Sequence, residues 1–402
     1  MATTSRRRVL QYGMSTGLAL TLPACATGSV RSGLDAAYLR LPPREAPGRV
    51  AMAVLPSKAW SCALEQVVSG VSDLRWLKRG DSVFVKVASN SGHVHPAVTS
   101  PDAVLALVAL LRAAGAGRVL VGDQAGAEHV RKWQGGRRSS TRERFADNGL
   151  LAAIERSGAE LHCFDDQPWE SSFQAEPDFV SAWDTRLYLP RVLREVDHVV
   201  VLPRLGAHAL AGYSCAVKAA VGWLRDDSRL VLHREGDRFY ERVAEINHMP
   251  ALRDKLRLVV TLIDKALVSI GPDIGKTYEF AGCFALASTS LLDHDATASM
   301  LLPYLRARSG LSVFDVYEPF PTHVNYWNRW FLSEAWGERG VLGYQALTPA
   351  PFGRHIAQDA ILSRLAVLEG RRPQRIEVAA SSPLPDALVA HLRAADGGLF
   401  AV

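Results

Sequence analysis

Short aliphatic, β-branched runs closed by Gly, Pro or Asp alternate with longer stretches of helical period through most of the chain. Val199 to Leu202 is one such run, and unbroken apolarity over so few residues is what a strand buried on both faces requires. Ser82 to Val87, Arg118 to Gly122, 160–164, Leu256 to Ile263, Phe280 to Ser288 and Arg375 to Ala379 read the same way. Between them, residues 60–78 set Ala63, Val67, Val68, Val71, Leu74 and Leu77 at helical spacing. Ser100-Pro101-Asp102 opens another helix, which stops at Gly115 and Gly117. Pro at the first helical position gives up an N–H that has no partner there, and Asp102 complements the positive helix end. Ser140-Thr141-Arg142-Glu143 has capping-box spacing, and Asp237 to Leu252, Asp293 to Leu302 and Leu384 to Leu392 continue the helical pattern. The alternation predicts an α/β fold: a mostly parallel open sheet with helices on both faces, built from βαβ units. An aromatic-rich insertion interrupts it between Phe314 and Tyr344. The domain is expected over residues 49–380, with a C-terminal helix and tail over 381–402.

The N-terminus carries a different kind of signal. Ser5-Arg6-Arg7-Arg8-Val9-Leu10 is close to the twin-arginine export pattern, and the uncharged stretch from Tyr12 to Leu22 is too short to span a bilayer. Leu22-Pro23-Ala24-Cys25 has the form of a lipobox, while Ala24-Cys25-Ala26 also fits ordinary cleavage after small residues. Cys25 is therefore either a lipid anchor or part of a discarded peptide. Residues 1–26 are read as signal peptide and 27–48, rich in Gly, Pro, Arg and Ser, as linker. The expected export partner is the twin-arginine translocase, and the expected location is periplasmic or membrane-anchored through Cys25.

Composition narrows the function. The 402 residues are 48% hydrophobic, enough for a large core without staples. A net charge of +5 without any groove-reading motif argues against a nucleic-acid partner. The five cysteines contain no C-x-x-C, so no iron–sulfur cluster is expected. Phosphate-loop, G-x-S-x-G and H-E-x-x-H signatures are all missing.

Candidate chemistry gathers after the strand at Val199. The chain turns through Pro203 and Gly206, presents His208 and enters a small-residue segment carrying Lys218. Open α/β sheets hold their ligands beyond strand carboxyl ends, and Asp123, Asp264, Asp293 and Asp295 fall at strand ends or helix starts. His208, Lys218 and Asp264 are the catalytic candidates. Asp264, Asp293, Asp295 and His208 together suit a divalent metal. Asp293 alone reads equally as a helix cap, and His93 and His95 as either a ligand pair or surface histidines. The basic loop containing Arg137 and Arg138 would bind an anion beside a helix start, or simply be solvated.

The blocks and their order resemble the bacterial domain-of-unknown-function family 362. Val83-Phe84-Val85-Lys86 is similar to its opening strand and lysine, and Val119 to Asp123 to its first βαβ unit. Val200 to His208 with Lys218 is similar to its Leu-Pro-Lys-x-Lys-Thr-His and Leu-Lys-Asn block. Asp264 with Gly271-Pro272 and Gly275 matches a further segment. The resemblance adds Lys86 and Asp123 to the ligand-binding set. Gly206-Ala207 and Ala219 stand where the family pattern has Lys-Thr and Asn, and the ferredoxin-type cysteines of many members are missing. The expectation is an exported enzyme acting on a small polar or anionic metabolite, with or without a divalent metal. The alternative is a non-catalytic ligand-binding or accessory protein.

Overall fold

Among the described residues, fifteen strands punctuate the chain: β1 (Gly48–Leu55), β2 (Ser82–Val87), β3 (Arg118–Asp123), β4 (Arg131–Trp133), β5 (Gly136–Arg138), β6 (Glu160–Cys163), β7 (Ser172–Ala175), β8 (Leu187–Pro190), β9 (His198–Leu202), β10 (Gly206–His208), β11 (Gly212–Ser214), β12 (Leu256–Leu267), β13 (Thr277–Ser288), β14 (Ile376–Ala380) and β15 (Phe400–Ala401). The computed structural model describes residues 36–184, 187–269, 271–311, 321–347 and 355–402. The export signal, Cys25, much of the linker, and Phe314, Tyr317 and Phe320 lie outside the described residues.

The main sheet has the order β15-β14-β1-β13-β12-β9-β2-β3-β6. Every neighbouring pair is parallel except the two made by β13, which runs antiparallel to both β1 and β12. The predicted architecture, mostly parallel with helices on both faces, is the one found. Alternation along the strands sorts the core into two layers. Val83, Val85, Val87, Leu258, Val260 and Leu262 pack with helices Trp60–Val71 and Pro101–Ala113. Phe84, Val199, Val201, Val259 and Ile263 pack on the other side with helices Phe239–His248 and Leu291–Arg308.

Local signals explain where elements begin. Pro101 occupies the first turn of its helix, and Ser140 and Glu143 form the full reciprocal capping box. The basic loop is a hairpin, β4 with β5, rather than irregular chain. The C-terminal segment continues the same body: helix Asp386–Ala394 buries Leu388 and Leu392, and β15 extends the sheet beside β14.

The antiparallel strand has a direct consequence for the site. Because β13 runs backwards, its end at Ser288 pairs with Val259, near the start of β12. The helix that follows, Leu291–Arg308, therefore begins at the edge opposite the carboxyl ends of the parallel strands.

Candidate functional site

The loops after β2 and β3 and those after β9 and β12 leave the sheet around one crevice, a topological switch point of an open α/β sheet. A cleft of about 500 Å³ opens there. Residues 88–90, 123–124 and 126–129 line it from one side, 204, 208–210 and 271–274 from the other, and Trp327, Trp330 and Phe331 close over it.

The floor is strongly cationic. Lys218 lies on the short helix Ala216–Ala219 and faces the cleft. It makes no hydrogen bond or ion pair with a described residue. Burial, and then the charges of Arg204 and Arg229, push its amine down from 10.5 to about 7, against the opposing pull of Glu128. Arg229 is locked beneath, donating to the carbonyls of Leu224, Ala125, Gln124 and Gly222. His208 Nδ1 accepts the backbone N–H groups of Leu210 (3.1 Å) and Ala211 (3.3 Å). Burial, with Lys218 and Arg204 nearby, holds that imidazole well below its ordinary value. A neutral ring whose Nδ1 accepts must carry its proton on Nε2, so His208 offers the cleft an uncharged N–H donor. His233, kept neutral in the same way, stacks edge-on against Phe331 with centroids 4.6 Å apart.

Below the floor, Lys86 is wholly buried in β2. Its Nζ sits 2.6 Å from Asp123 Oδ1 at the end of β3 and donates to the carbonyls of Val87 and Ala219. Asp123 also accepts the N–H groups of Ser89 and Gln124. The pair thus ties β2, β3 and the Lys218 helix together. Gly222 makes this possible, since a Cβ there would overlap both Asp123 Oδ1 and Lys86 Nζ.

At the rim, Asp273 accepts from Ser91 Oγ (2.9 Å) and Asn90 Nδ2 (3.1 Å) and meets His129 Nε2 at 3.2 Å. Glu128 Oε1 lies 3.3 Å from the same nitrogen. Burial works against the imidazolium, but hydrogen bonds to Asp273 and Glu128 outweigh it and raise His129 to about 9. The three side chains bring their ligand atoms within 4.8 Å of one another, and two carboxylates with an imidazole suit a divalent cation. A second such group, Cys215, His294 and Asp295, is fully buried. Its donors are spent internally: Asp295 caps Ala216 N and Val217 N and accepts from His294 Nδ1.

Of the residues expected from sequence, Asp123, His208 and Lys218 line this cleft, with Lys86 directly beneath. The four predicted metal ligands do not converge. His208 is in the cleft; Asp295 caps the Lys218 helix from below. Asp293 sits at the opposite sheet edge, gripped by Arg44 at 2.7 and 2.8 Å, because β13 is antiparallel. Asp264 follows Leu262 on the other sheet face and binds Lys58 (2.6 Å) and His95 (3.0 Å). Arg137 pairs with Asp166 and, at 3.5 Å, Asp165 on the outer surface. Arg138 donates to the carbonyls of Ala127 and Glu128, bracing the cleft wall from behind. His93 lines the cleft; His95 does not.

Asp264 is therefore a structural anion. The hydrogen bond from His95, followed by that from Lys58, holds its carboxyl well below the usual range despite partial burial. A depressed carboxylate stabilises above its unfolded value and loses that contribution as pH falls. Asp264→Asn is expected to lower stability at pH 7 by about 1–2 kcal/mol. The difference from the parent should shrink toward pH 2 in urea titrations, with ligand affinity unchanged.

Arg204, Arg229, His233, Glu128, His129 and Asp273 complete the cleft without having been expected. Arg204 lay within the turn already singled out, between Pro203 and Gly206. Arg229 carried only a weak sign, a charge directly before the apolar run Leu230-Val231-Leu232 in an otherwise charged segment.

No curated protein matches the chain. Among solved structures it is similar to the lactate racemase apoprotein from Thermoanaerobacterium thermosaccharolyticum, at 11% identity and a TM-score of 0.37, covering 86% of this chain and 89% of that one. The family described as Domain of unknown function (DUF362) matches over residues 83–300, more than half of the 402 residues. That span holds β2, β3, β9, β12 and the whole cationic floor, and the chain belongs to this family.

Proposed function

We propose that this chain is an enzyme acting on a small anionic metabolite, with Lys218 as the group that takes up and releases the substrate's proton. One observation carries the reading: an amine with no hydrogen-bond or ion-pair partner among the described residues, brought to about 7, faces the cleft beside Arg204, Arg229 and the neutral His208. An acid–base group works best when its own value lies near the operating pH. The Arg204 and Arg229 charges draw in the anion, and His208 Nε2–H is placed to donate to an oxygen that gains negative charge. Glu128, His129 and Asp273 are the donors at this cleft to which a divalent cation would bind.

The test is incubation with a panel of small carboxylic acids in D₂O, followed by proton NMR. Exchange or conversion of at least one member, with a rate midpoint near pH 7 and loss in Lys218→Met, is expected. The second reading, a non-catalytic binding protein, draws on Gly206-Ala207 and Ala219, where the family pattern carries polar residues. Anion binding that depends on Lys218, with no member exchanged or converted, would favour it.

We further propose export by the twin-arginine translocase, with residues 1–26 as the signal. Ser5 to Leu10 and the short apolar stretch after it support this, and no helix among the described residues is long and apolar enough to cross a membrane. Mass spectrometry of the mature N-terminus should find a chain beginning at or just after Cys25. A diacylglyceryl adduct on Cys25 would identify a lipoprotein, and an intact Met1 would refute export.

A further inference from the structure

We infer that the substrate is two-ended: an anionic group on the Lys218 floor, and a flat aromatic body against the tryptophans above it. The inference rests on the proposed function and adds the class of substrate. Helix Pro321–Trp336 already has one apolar side occupied. Val324, Asn328, Leu332 and Ala335 are buried, and Asn328 Nδ2 bonds the carbonyl of His233. Holding the helix in place does not call for a second apolar face. It has one nonetheless, because Trp327, Trp330 and Phe331, at helical spacing, line the cleft beside Glu334.

Trp327 and Trp330 remain 45% and 46% exposed, with their rings 5.9 Å apart and perpendicular. Across the opening, Ile274, itself 65% exposed, supplies another apolar surface from the 271–274 loop. Large rings left half in water at the mouth of a charged cavity are an unmet apolar surface. The lining is graded: cations and N–H donors lie at the bottom, and the indoles lie at the top beside the rim carboxylates Glu128, Asp273 and Glu334. A ligand with its charge at one end and a ring at the other satisfies both, and the cleft's 500 Å³ is in the range of organic ligand sites. Carboxylate and phosphate share the chemistry the floor recognises.

The test is calorimetric titration of the full chain with 3-phenylpropionate, butyrate, 3-phenylpropanol, phenyl phosphate and inorganic phosphate. The aromatic anion is expected to bind about tenfold or more tighter than butyrate and than the uncharged alcohol, a ratio worth about one aromatic contact. Trp327→Ala and Trp330→Ala should bring it down to the affinity of butyrate while leaving butyrate unchanged. Trp330→Gln, which keeps part of the side-chain bulk, serves if the alanine variant does not fold. The order of phenylpropionate and phenyl phosphate then assigns the anion. If butyrate binds in a Lys218-dependent way but the phenyl group adds nothing, the two-ended substrate is overturned and the proposed function stands. If no anion binds, both fall.

Discussion

Lys218→Met should yield a folded protein that has lost proton transfer by about a hundredfold or more, the usual contribution of a positioned acid–base group. Methionine replaces the apolar stem and removes a charge that burial already disfavours, so thermal stability should not drop. Lys218→Arg separates the two roles of the amine. A guanidinium keeps its charge at every accessible pH, so anion affinity should persist while turnover is lost. Its binding should also lose the pH dependence of the parent. An anion binds best to protonated Lys218, whose value is about 7, so parent affinity should fall as pH rises from 6 to 8.5. At about pH 8, binding should draw up part of a proton, read by calorimetry in buffers of different ionisation enthalpy. Equal turnover in parent and Lys218→Met would remove the amine from the chemistry.

Lys86→Met is expected to cost about 3–5 kcal/mol in urea unfolding, because it leaves the Asp123 carboxylate buried without its counter-charge. The Lys86 ammonium lies 2.6 Å from Asp123 and holds the Ala219 carbonyl as well, so the Lys218 helix should loosen with it. The double variant Lys86→Met/Asp123→Asn should lose less than the single one, since no uncompensated charge remains. Gly222→Ala attacks the same pair from outside, as the added methyl would overlap both charged atoms. It should destabilise without removing a single polar group. Stabilities of all three variants within about 0.5 kcal/mol of the parent would contradict a structural role for the pair.

Much of the fold was legible because its signals are local. Pro101, the Ser140–Glu143 box and the Val-rich runs each act over a few residues, and the structure contains them within a residue or two. Asp123 and His208 were found for a related reason: one ends a buried parallel strand and the other comes soon after one, while Lys218 was found as the lone charge in the small-residue segment that follows. Asp293 was misplaced because strand direction is not written into the run from Phe280 to Ser288. Only pairing with β1 and β12 reveals that it runs backwards. Asp264 failed through facing: two residues beyond Leu262 it shares that residue's side of the sheet, where Lys58 and His95 hold it. Arg229 and His233, from a helix remote from any strand end, reach the site only through tertiary packing, which no periodicity encodes. The role of Trp327 and Trp330 was equally hidden, since aromatic density alone does not separate core from wall.

The direct test of the site is the titration of Lys218 itself. Reductive ¹³C-methylation of the full chain, with the Lys218 resonance assigned through Lys218→Arg, lets NMR follow its shift from pH 5 to 11. A midpoint near 7, rising when a small carboxylate is bound, is the expected outcome. A midpoint near 10.5 that no anion moves would mean that Lys218 is an ordinary solvated lysine and that the cleft has no acid–base centre.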